Sequence, residues 1–443
     1  MEKDNDTKKK MDTVQPVKAA PAVSETDEAQ VVNAAESEKK AKIRDMVIAA
    51  VAGIALVVVL VLAVVLNLDH EGNTGGVGQS TGSSTSDSSS ATDATSITTA
   101  GTYTISGEHA PITIDTAGDV TLVLDSATIT ATSGPAIYVV DADSVTIVLK
   151  GESTLTANGG TSDLEGVIHS TDDLIFTGEG TLTVNGNLDG IVSKDTLVIK
   201  SGTYIVNTDD DCIKGKDSVT IDGGTFTLTS TGGDGIKASN DEDSELGWIV
   251  INDGTFTITS TQDGIQSETY TMINGGTFTI KVGDDAIHAT TKLEINGGTF
   301  TITAAEGLEA TYVLVNDGTI KITATDDGIN AGAKSTAYGV MVEINGGELT
   351  IDMGQGDTDA VDSNGDLKIT GGKITITAQS AFDYDGTVTF TGGTVIVNGT
   401  QVTTITNQLM GGEQGTMPGA QQGQQTQKTQ TQQGQPGMMQ RMR

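Results

Sequence analysis

The amino-acid sequence predicts an all-β protein: a single-stranded parallel β-helix with coils of about 22 residues and a right-handed winding, preceded by one transmembrane helix. Three observations carry this prediction. A Gly-Thr-Phe-Thr motif recurs along the chain, an acidic motif follows most of its copies, and an uncharged apolar run precedes both. A short unit that recurs many times is typical of a solenoid, in which each unit buries its apolar face by stacking on its neighbours.

The apolar run, Met46 to Leu66, holds 21 residues without a charge, enough to cross a bilayer core of about 30 Å as a helix. Four basic residues lie between positions 39 and 44, whereas Asp69 and Glu71 follow the run. The basic flank predicts a cytoplasmic N-terminus and an extracellular β-helix. No small-x-small cleavage site follows, so we expect an uncleaved signal anchor in the cell membrane; a buried core helix is the alternative.

Composition divides the chain into five predicted segments. The first lacks apolar periodicity, the third is rich in Gly, Ser and Thr, and the last is rich in Gln, Gly and Met. The segments are a disordered cytoplasmic tail (1–45), a transmembrane signal anchor (46–68), a flexible linker (69–96), a parallel β-helix domain (97–406) and a low-complexity tail (407–443).

The charge of the chain outside the predicted membrane is strongly negative. Residues 67–406 carry 12 lysines, no arginine and 48 acidic residues, a net charge of −36. Nucleic acid is excluded as a partner because binding it requires basic groups that neutralise phosphates. The single cysteine, Cys212, excludes an intramolecular disulfide, and we expect a monomer stabilised by burial, hydrogen-bonded ladders or bound ions.

The recurring motif gives the period of the predicted solenoid. Successive marker glycines before the Thr-rich strands are 20 to 30 residues apart, and 22 is the commonest spacing. Three strands of about five residues with their turns fill such a coil, whereas a propeller blade needs about 40 residues. The markers are Gly202, Gly224, Gly254, Gly276, Gly298, Gly318, Gly347, Gly372 and Gly393.

Stacked coils place equivalent side chains about 4.8 Å apart in ladders. Period-2 alternation predicts an internal ladder of Phe226, Phe256, Phe278 and Phe300, continued by Tyr204 and Ile320. The alternating threonines then form a flat outer face. Threonine is a common solvated strand residue, and the alternative is that this face adsorbs a flat polymer or crystal.

An acidic motif follows the Thr-rich strands and should form a second ladder. Two carboxylates 4.8 Å apart repel by about 0.9 kcal/mol in water and roughly 3.5 kcal/mol at an effective dielectric constant near 20. Either some carboxyl groups keep a proton or cations lie between them. The ladder is Asp189, Asp211, Asp234, Asp263, Asp285, Glu306, Asp327 and Asp359.

Calcium suits such an array because it accepts flexible oxygen coordination, and the alternative is that these are turn aspartates that accept hydrogen bonds from local backbone amides. No EF-hand loop or β-roll nonapeptide is present, so the prediction rests on repetition. The predicted calcium ligands are Asp189, Asp209, Asp210, Asp211, Asp234, Asp263, Asp284, Asp285, Glu306, Asp326, Asp327, Asp357, Asp359 and Asp362.

An enzyme must also be considered, because pectate lyases and polygalacturonases are β-helices and stacked acids can flank a glycosidic bond. The Gly-His-Gly and Arg-x-Lys elements of polygalacturonases are absent. A lyase needs a basic residue to abstract a proton, and only lysines such as Lys214 or Lys237 could replace the usual arginine. Pectin hydrolysis or lysis is therefore an alternative, and we expect no catalysis.

The repeats "NGGTFTI" with "DDGI" or "DDAI" over residues 97–402 resemble a family of carbohydrate-binding β-helix proteins from plant-degrading clostridia. The resemblance implies calcium sites between coils and binding of acidic plant polysaccharide such as polygalacturonate, and of cellulose. A domain of charge −36 should repel a polyuronate, so we expect calcium to bridge carboxylates on both partners. The predicted sugar-contacting residues are Lys214, Lys237, Gln266, His288 and Trp248. A structural or adhesive surface solenoid is the remaining alternative.

Overall fold

The computed structural model describes residues 95–161, 163–354 and 358–407. They form an all-β parallel solenoid of about 13 turns, as the repeat predicts. The N-terminal tail, the anchor, all but the last two residues of the predicted linker and all but the first residue of the predicted C-terminal tail lie outside the described residues. Within the described ranges, no helix is long and apolar enough to cross a membrane.

Each coil supplies strands to three parallel sheets, which we name sheet A (Thr-rich), sheet B (after the acidic motif) and sheet C. Sheet A contains β7 Glu152–Ala157, β10 Thr181–Gly186, β13 Thr203–Thr208, β16 Thr225–Ser230, β19 Thr255–Ser260, β22 Thr277–Val282, β24 Thr299–Ala304, β26 Thr319–Ala324, β29 Glu348–Met353, β32 Lys373–Thr377, β35 Thr394–Val397 and β36 Thr400–Val402. Only β35 and β36 pair antiparallel among the described strands.

Sheets B and C follow in every coil. Sheet B contains β1 Thr95–Ile97, β3 Ile112–Asp115, β5 Ile137–Asp141, β8 Gly166–Ser170, β11 Asp189–Ser193, β14 Ile213–Gly215, β17 Ile236–Ala238, β20 Ile265–Ser267, β27 Ile329–Ala331, β30 Asp362–Ser363 and β33 Asp383–Tyr384. Sheet C contains β6 Val145–Lys150, β9 Leu174–Gly178, β12 Thr196–Ile199, β15 Ser218–Ile221, β18 Trp248–Ile251, β21 Tyr270–Ile273, β28 Met341–Ile344, β31 Asp366–Ile369 and β34 Val388–Phe390.

Four longer strands bend from one sheet into the next. β2 Gly101–His109 and β4 Val120–Ala131 run from sheet C into sheet A, and β23 Asp285–Ile295 and β25 Glu306–Val315 run from sheet B into sheet C.

The predicted aromatic ladder is confirmed. Phe226, Phe256, Phe278 and Phe300 are 1% exposed, and their rings stack with centroids 4.6 Å apart; Tyr204 continues the stack at 5.0 Å. The partner of Phe300 in the next coil is Ile320. The marker glycine permits this packing: Gly254 has φ +139°, and a Cβ there would lie 2.8 Å from the ring of Phe256.

A row of asparagines supports the corner between sheets C and A. The side-chain amide of each asparagine after the first donates a hydrogen bond to the side-chain oxygen of the asparagine in the preceding coil, at 2.8–3.0 Å, and the amide of the first donates to Asp222. These bonds satisfy the side-chain amides at the corner, and the backbone amides of the same residues donate to carbonyl groups of the preceding coil. The row is Asn252, Asn274, Asn296, Asn316 and Asn345.

The two long insertions lie at the corner between sheets B and C. Residues 239–247 precede β18 and residues 332–340 precede β28. The second insertion is held by Thr311, whose hydroxyl oxygen accepts hydrogen bonds from the backbone amides of Lys334 (3.1 Å) and Ser335 (2.8 Å). Both insertions therefore border the outer face of sheet C.

Candidate functional site

The acidic ladder lies where each coil turns from sheet A into sheet B. Asp189, Asp211, Asp234, Asp263 and Asp285 are each at most 8% exposed. Along this series, Oδ1 of each of the first four aspartates accepts a hydrogen bond from the backbone amide of the next aspartate, at 2.8–3.0 Å. One oxygen per aspartate therefore stabilises the turn, and the second oxygen, Oδ2, is available for other chemistry.

Lysines compensate the first half of the ladder. Nζ of Lys214 lies 3.2 Å from Oδ2 of both Asp189 and Asp211, and Nζ of Lys237 lies 2.6 Å from Oδ2 of Asp234. Their negative neighbours outweigh burial and raise the pKa of Lys214 and Lys237. Besides protons and metal ions, ammonium groups are therefore a third way to reduce the repulsion between the carboxylates of the ladder. A calcium ion bound by Asp189, Asp211 or Asp234 would compete with these ammonium groups.

The second half of the ladder concentrates carboxylates. Ligand atoms of Asp263, Asp285 and His288 lie within 4.8 Å of one another, and so do those of Asp285, Glu306 and Glu309. We call Asp263, Asp285, Glu306 and Glu309 the carboxylate cluster. Lys334 pairs with Glu309 at 2.7 Å. Burial raises the pKa of Glu306 to about 7, and burial together with Glu309 raises that of Asp285.

Buried polar atoms without a hydrogen-bond partner lie along the outer row of sheet B. Gln266, His288, Glu309, Asn330 and Asp362 occupy equivalent positions in successive coils. Six buried side-chain atoms lack a partner in the described part of the chain. Three of them are Gln266 Oε1, His288 Nε2 and Asn330 Oδ1, beside the carboxylate cluster. Amide and carboxylate oxygens are the ligands that calcium prefers, so the donor set fits this ion.

The remaining predicted calcium ligands do not belong to the carboxylate cluster. Asp209, Asp210, Asp284 and Asp326 are exposed, and Asp210 lies near Asp189 and Asp211. Asp327 accepts a hydrogen bond from the amide of Asp359 (3.0 Å). Burial, then like charges, raises the pKa of Asp327 to about 7 and of Asp362 to about 6. Asp357 lies outside the described residues.

An aromatic surface covers the outer face of sheet C between the two insertions. We define it as Trp248, Tyr270, Lys292, Tyr312 and Tyr338. The rings of Trp248 and Tyr270 stack with centroids 6.3 Å apart, and Nζ of Lys292 lies 5.4 Å and 6.0 Å from the ring centroids of Tyr312 and Tyr338. The surface thus holds four of the eight Trp and Tyr residues of the chain.

Charges beside the aromatic surface are paired. Lys292 contacts Glu294 at 2.5 Å, and Lys368 contacts Glu343 at 2.9 Å. These two pairs carry no net charge, whereas the insertion that precedes Trp248 adds Asp241, Glu242, Asp243 and Glu245 at the edge of the outer face of sheet C. Trp248 belongs to this face, whereas Lys214, Lys237, Gln266 and His288 lie on sheet B. The structure thus separates the predicted sugar-contacting residues into two surfaces.

Comparison with known protein families supports a carbohydrate-binding solenoid. A solved structure of a polysaccharide lyase-like protein from C. thermocellum, a gadolinium derivative, is 33% identical in sequence, with a TM-score of 0.43; the match covers 46% of this chain and 87% of that chain. No curated protein matches. The model of the family described as carbohydrate-binding domain-containing protein matches residues 91–285 and 282–435. The chain therefore belongs to the family of carbohydrate-binding domain-containing proteins.

Proposed function

We propose that this protein is a non-catalytic, membrane-anchored surface protein whose solenoid binds acidic plant polysaccharide of the polygalacturonate type through calcium at the carboxylate cluster. Family membership supports a carbohydrate ligand. The observation that carries the site is the set of unpartnered buried oxygens, Gln266 Oε1 and Asn330 Oδ1, beside that cluster. Each would gain a partner if it coordinated an ion directly or through water.

The protein's own charge argues for a metal bridge. Residues 67–406 carry a net charge of −36, so a polyuronate approaching them is repelled. Calcium takes six to eight oxygen ligands, more than the three carboxylates that converge at Asp285, Glu306 and Glu309. Coordination positions would remain for water and for a carboxylate of the polysaccharide.

Loss of two cluster carboxylates should weaken calcium binding and calcium-dependent binding of the polymer. We expect the Asp285→Asn/Glu306→Gln variant to bind calcium about tenfold or more weakly, because fewer anionic ligands remain. Retention on immobilised polygalacturonate should fall in parallel. Calorimetric titration with calcium and the retained fraction, each with and without chelator, are the measurements.

The matched control is Asp253→Asn/Asp317→Asn, which removes two exposed carboxylates that only accept a hydrogen bond from the next glycine's amide. This control should bind calcium like the parent. Equal losses in the two variants, or undiminished polymer binding in excess chelator, would contradict calcium bridging. New reducing ends or unsaturated products in the same incubations would contradict a non-catalytic protein.

The lysines argue against a lyase. Proton abstraction needs an unprotonated base, and the pKa of Lys214 and Lys237 is raised by the aspartates that contact them. The perturbed carboxyl groups could in principle serve an acid-base reaction, but they also fit a metal site. The lysine contacts in the first half of the ladder thus support binding without cleavage. The carboxylate cluster in the second half supports a role for calcium in that binding.

The aromatic surface supports a second ligand, a neutral chain such as cellulose. Pyranose rings present apolar C–H faces that pack on Trp and Tyr rings, and an uncharged chain is not repelled by the negative charge of the protein. The row Tyr270, Lys292 and Tyr312 follows the stacking direction of the coils, with successive residues in register. A linear chain could therefore contact several rings at once.

Removal of these rings should weaken binding to cellulose selectively. We expect Trp248→Ala and Tyr312→Ala each to lower the affinity for cellulose by about tenfold, with little change in calcium-dependent polygalacturonate binding. Tyr138→Ala, on sheet B and outside the aromatic surface, is the matched control. Depletion from solution by microcrystalline cellulose measures the effect, and equal binding by all three variants and the parent would exclude this surface as the contact.

A further inference from the structure

A pocket at the corner between sheets B and C is lined by lysines. It has a volume of about 410 Å³, and Lys194, Lys214, Lys216 and Lys237 line it. They are four of the 12 lysines of residues 67–406, a region that holds 48 acids. We call it the lysine pocket. It adjoins the first half of the acidic ladder.

A carboxylate of the protein itself already lies among these ammonium groups. Glu165 pairs with Lys194, and its Oε1 lies 3.7 Å from Nζ of Lys214. The Glu165 side chain is 19% exposed and the Lys194 side chain 37% exposed. Lys237 pairs with Asp234 of the ladder. Lys216 pairs at 3.4 Å with Glu242, whose side chain is 77% exposed and is therefore readily displaced. Glu165 therefore shows that the pocket accepts a carboxylate, and it occupies part of the space a ligand would use.

A buried histidine beside the pocket is an independent sign of a polar ligand. His169 is 2% exposed, and its Nδ1 has no hydrogen-bond partner. It precedes Val192 and Lys214 on the outer row of sheet B. Burial, then the charge of Lys194, lowers the pKa of His169 to about 4, so the ring is neutral at physiological pH. His169 lies behind the pocket-lining Val192, so a neutral imidazole there would reach a ligand through a bridging water.

We propose that the lysine pocket binds the carboxylate of a uronic acid residue directly, without calcium, through Lys194 and Lys216 with support from Lys214 and Lys237. The inference rests on the proposed function, because it adds a second contact for the same acidic polysaccharide. Lys214 and Lys237 belong to the row of sheet B that continues through Gln266 to His288. One polymer chain that follows this row meets ammonium groups first and the calcium site two coils later.

The test uses trigalacturonate and full-length protein in excess chelator at low ionic strength, with affinity measured by calorimetry. We expect measurable binding that weakens with added salt and is absent for the methyl-esterified trimer. Lys194→Gln/Lys216→Gln should weaken binding about tenfold, as expected for lost charge-assisted hydrogen bonds. Glu165→Gln should strengthen it, since a competing carboxylate is removed.

The matched control is Lys281→Gln/Lys321→Gln, which removes two exposed lysines from the outer face of sheet A. It should bind like the parent. The proposal is overturned if neither the parent nor Glu165→Gln binds the trimer in chelator, or if both lysine pairs cause the same loss. The outcome is separable from that of the calcium site, because calcium titration of the protein alone reports on the carboxylate cluster.

Discussion

Replacement of Lys214 by methionine should lower the free energy of unfolding by about 3 kcal/mol at neutral pH, the scale for breaking a buried ion pair on one side. The ammonium group lies 3.2 Å from two aspartates that are 1% and 2% exposed, and no other cation contacts Asp189 as closely in the described structure. Methionine keeps the length of the aliphatic chain, so the loss reports on charge. Chemical denaturation monitored by circular dichroism is the measurement.

The control for Lys214 is Lys373→Met. Lys373 pairs with Glu348 at 2.6 Å, but both side chains are more than half exposed, and such pairs contribute about 0–1 kcal/mol. The Lys214 variant should also lose less stability at pH 5, where Asp189 can take up a proton. Equal losses for the two lysines, or a loss independent of pH, would show that the buried ammonium groups do not compensate the ladder.

Without calcium, the protein should lose stability as the pH rises from about 5 to 8. The pKa values of Asp189, Glu306 and Asp327 are raised to about 7 and that of Asp362 to about 6, mainly by burial. Between the ordinary carboxyl pKa and these values the folded state binds more protons than the unfolded state, so stability falls with pH, by about 1.4 kcal/mol for each unit of pKa difference. Thermal unfolding in chelator across this range is the measurement.

One group opposes this trend. The pKa of His169 is lowered to about 4, so it removes stability as the pH falls from about 6.5 to 4. The four carboxyl groups outweigh the single imidazole, so the net stability of the folded state decreases as the pH rises. Calcium at pH 8 should restore the melting temperature by binding only the folded state. A melting temperature that rises from pH 5 to 8 in chelator would contradict these assignments.

The sequence predicted the fold because its signals are local and repeated. The motif that contains Phe226 recurs at a nearly constant spacing, and the parallel register places each copy directly on the next. The acidic ladder follows from the same register. The spacing of marker glycines such as Gly254 predicts the period but not the reason for glycine. The positive φ and the close approach of the Phe256 ring explain why a residue with a side chain does not suit this position.

The site was predictable only in part. The sequence placed the acids in a ladder, but the contact of Lys214 with Asp189 reaches back to the preceding coil and depends on side-chain direction. Glu165 meets Lys194 across 29 residues through an irregular segment with no repeat to align. Tyr338 reaches Lys292 from an insertion. Insertions and side-chain rotamers carry no periodic signal, so these contacts required a structure.

The asparagine row has a consequence for how this protein can evolve. Each asparagine hydrogen-bonds only to the coils directly before and after it, and the aromatic stack and the acidic ladder do the same. Duplication or loss of one whole coil therefore leaves every remaining junction with a suitable neighbour. Natural variants can therefore lengthen or shorten the ligand-facing rows in steps of one coil. Such a step changes the number of sugar residues that the rows contact and leaves the other coils unchanged.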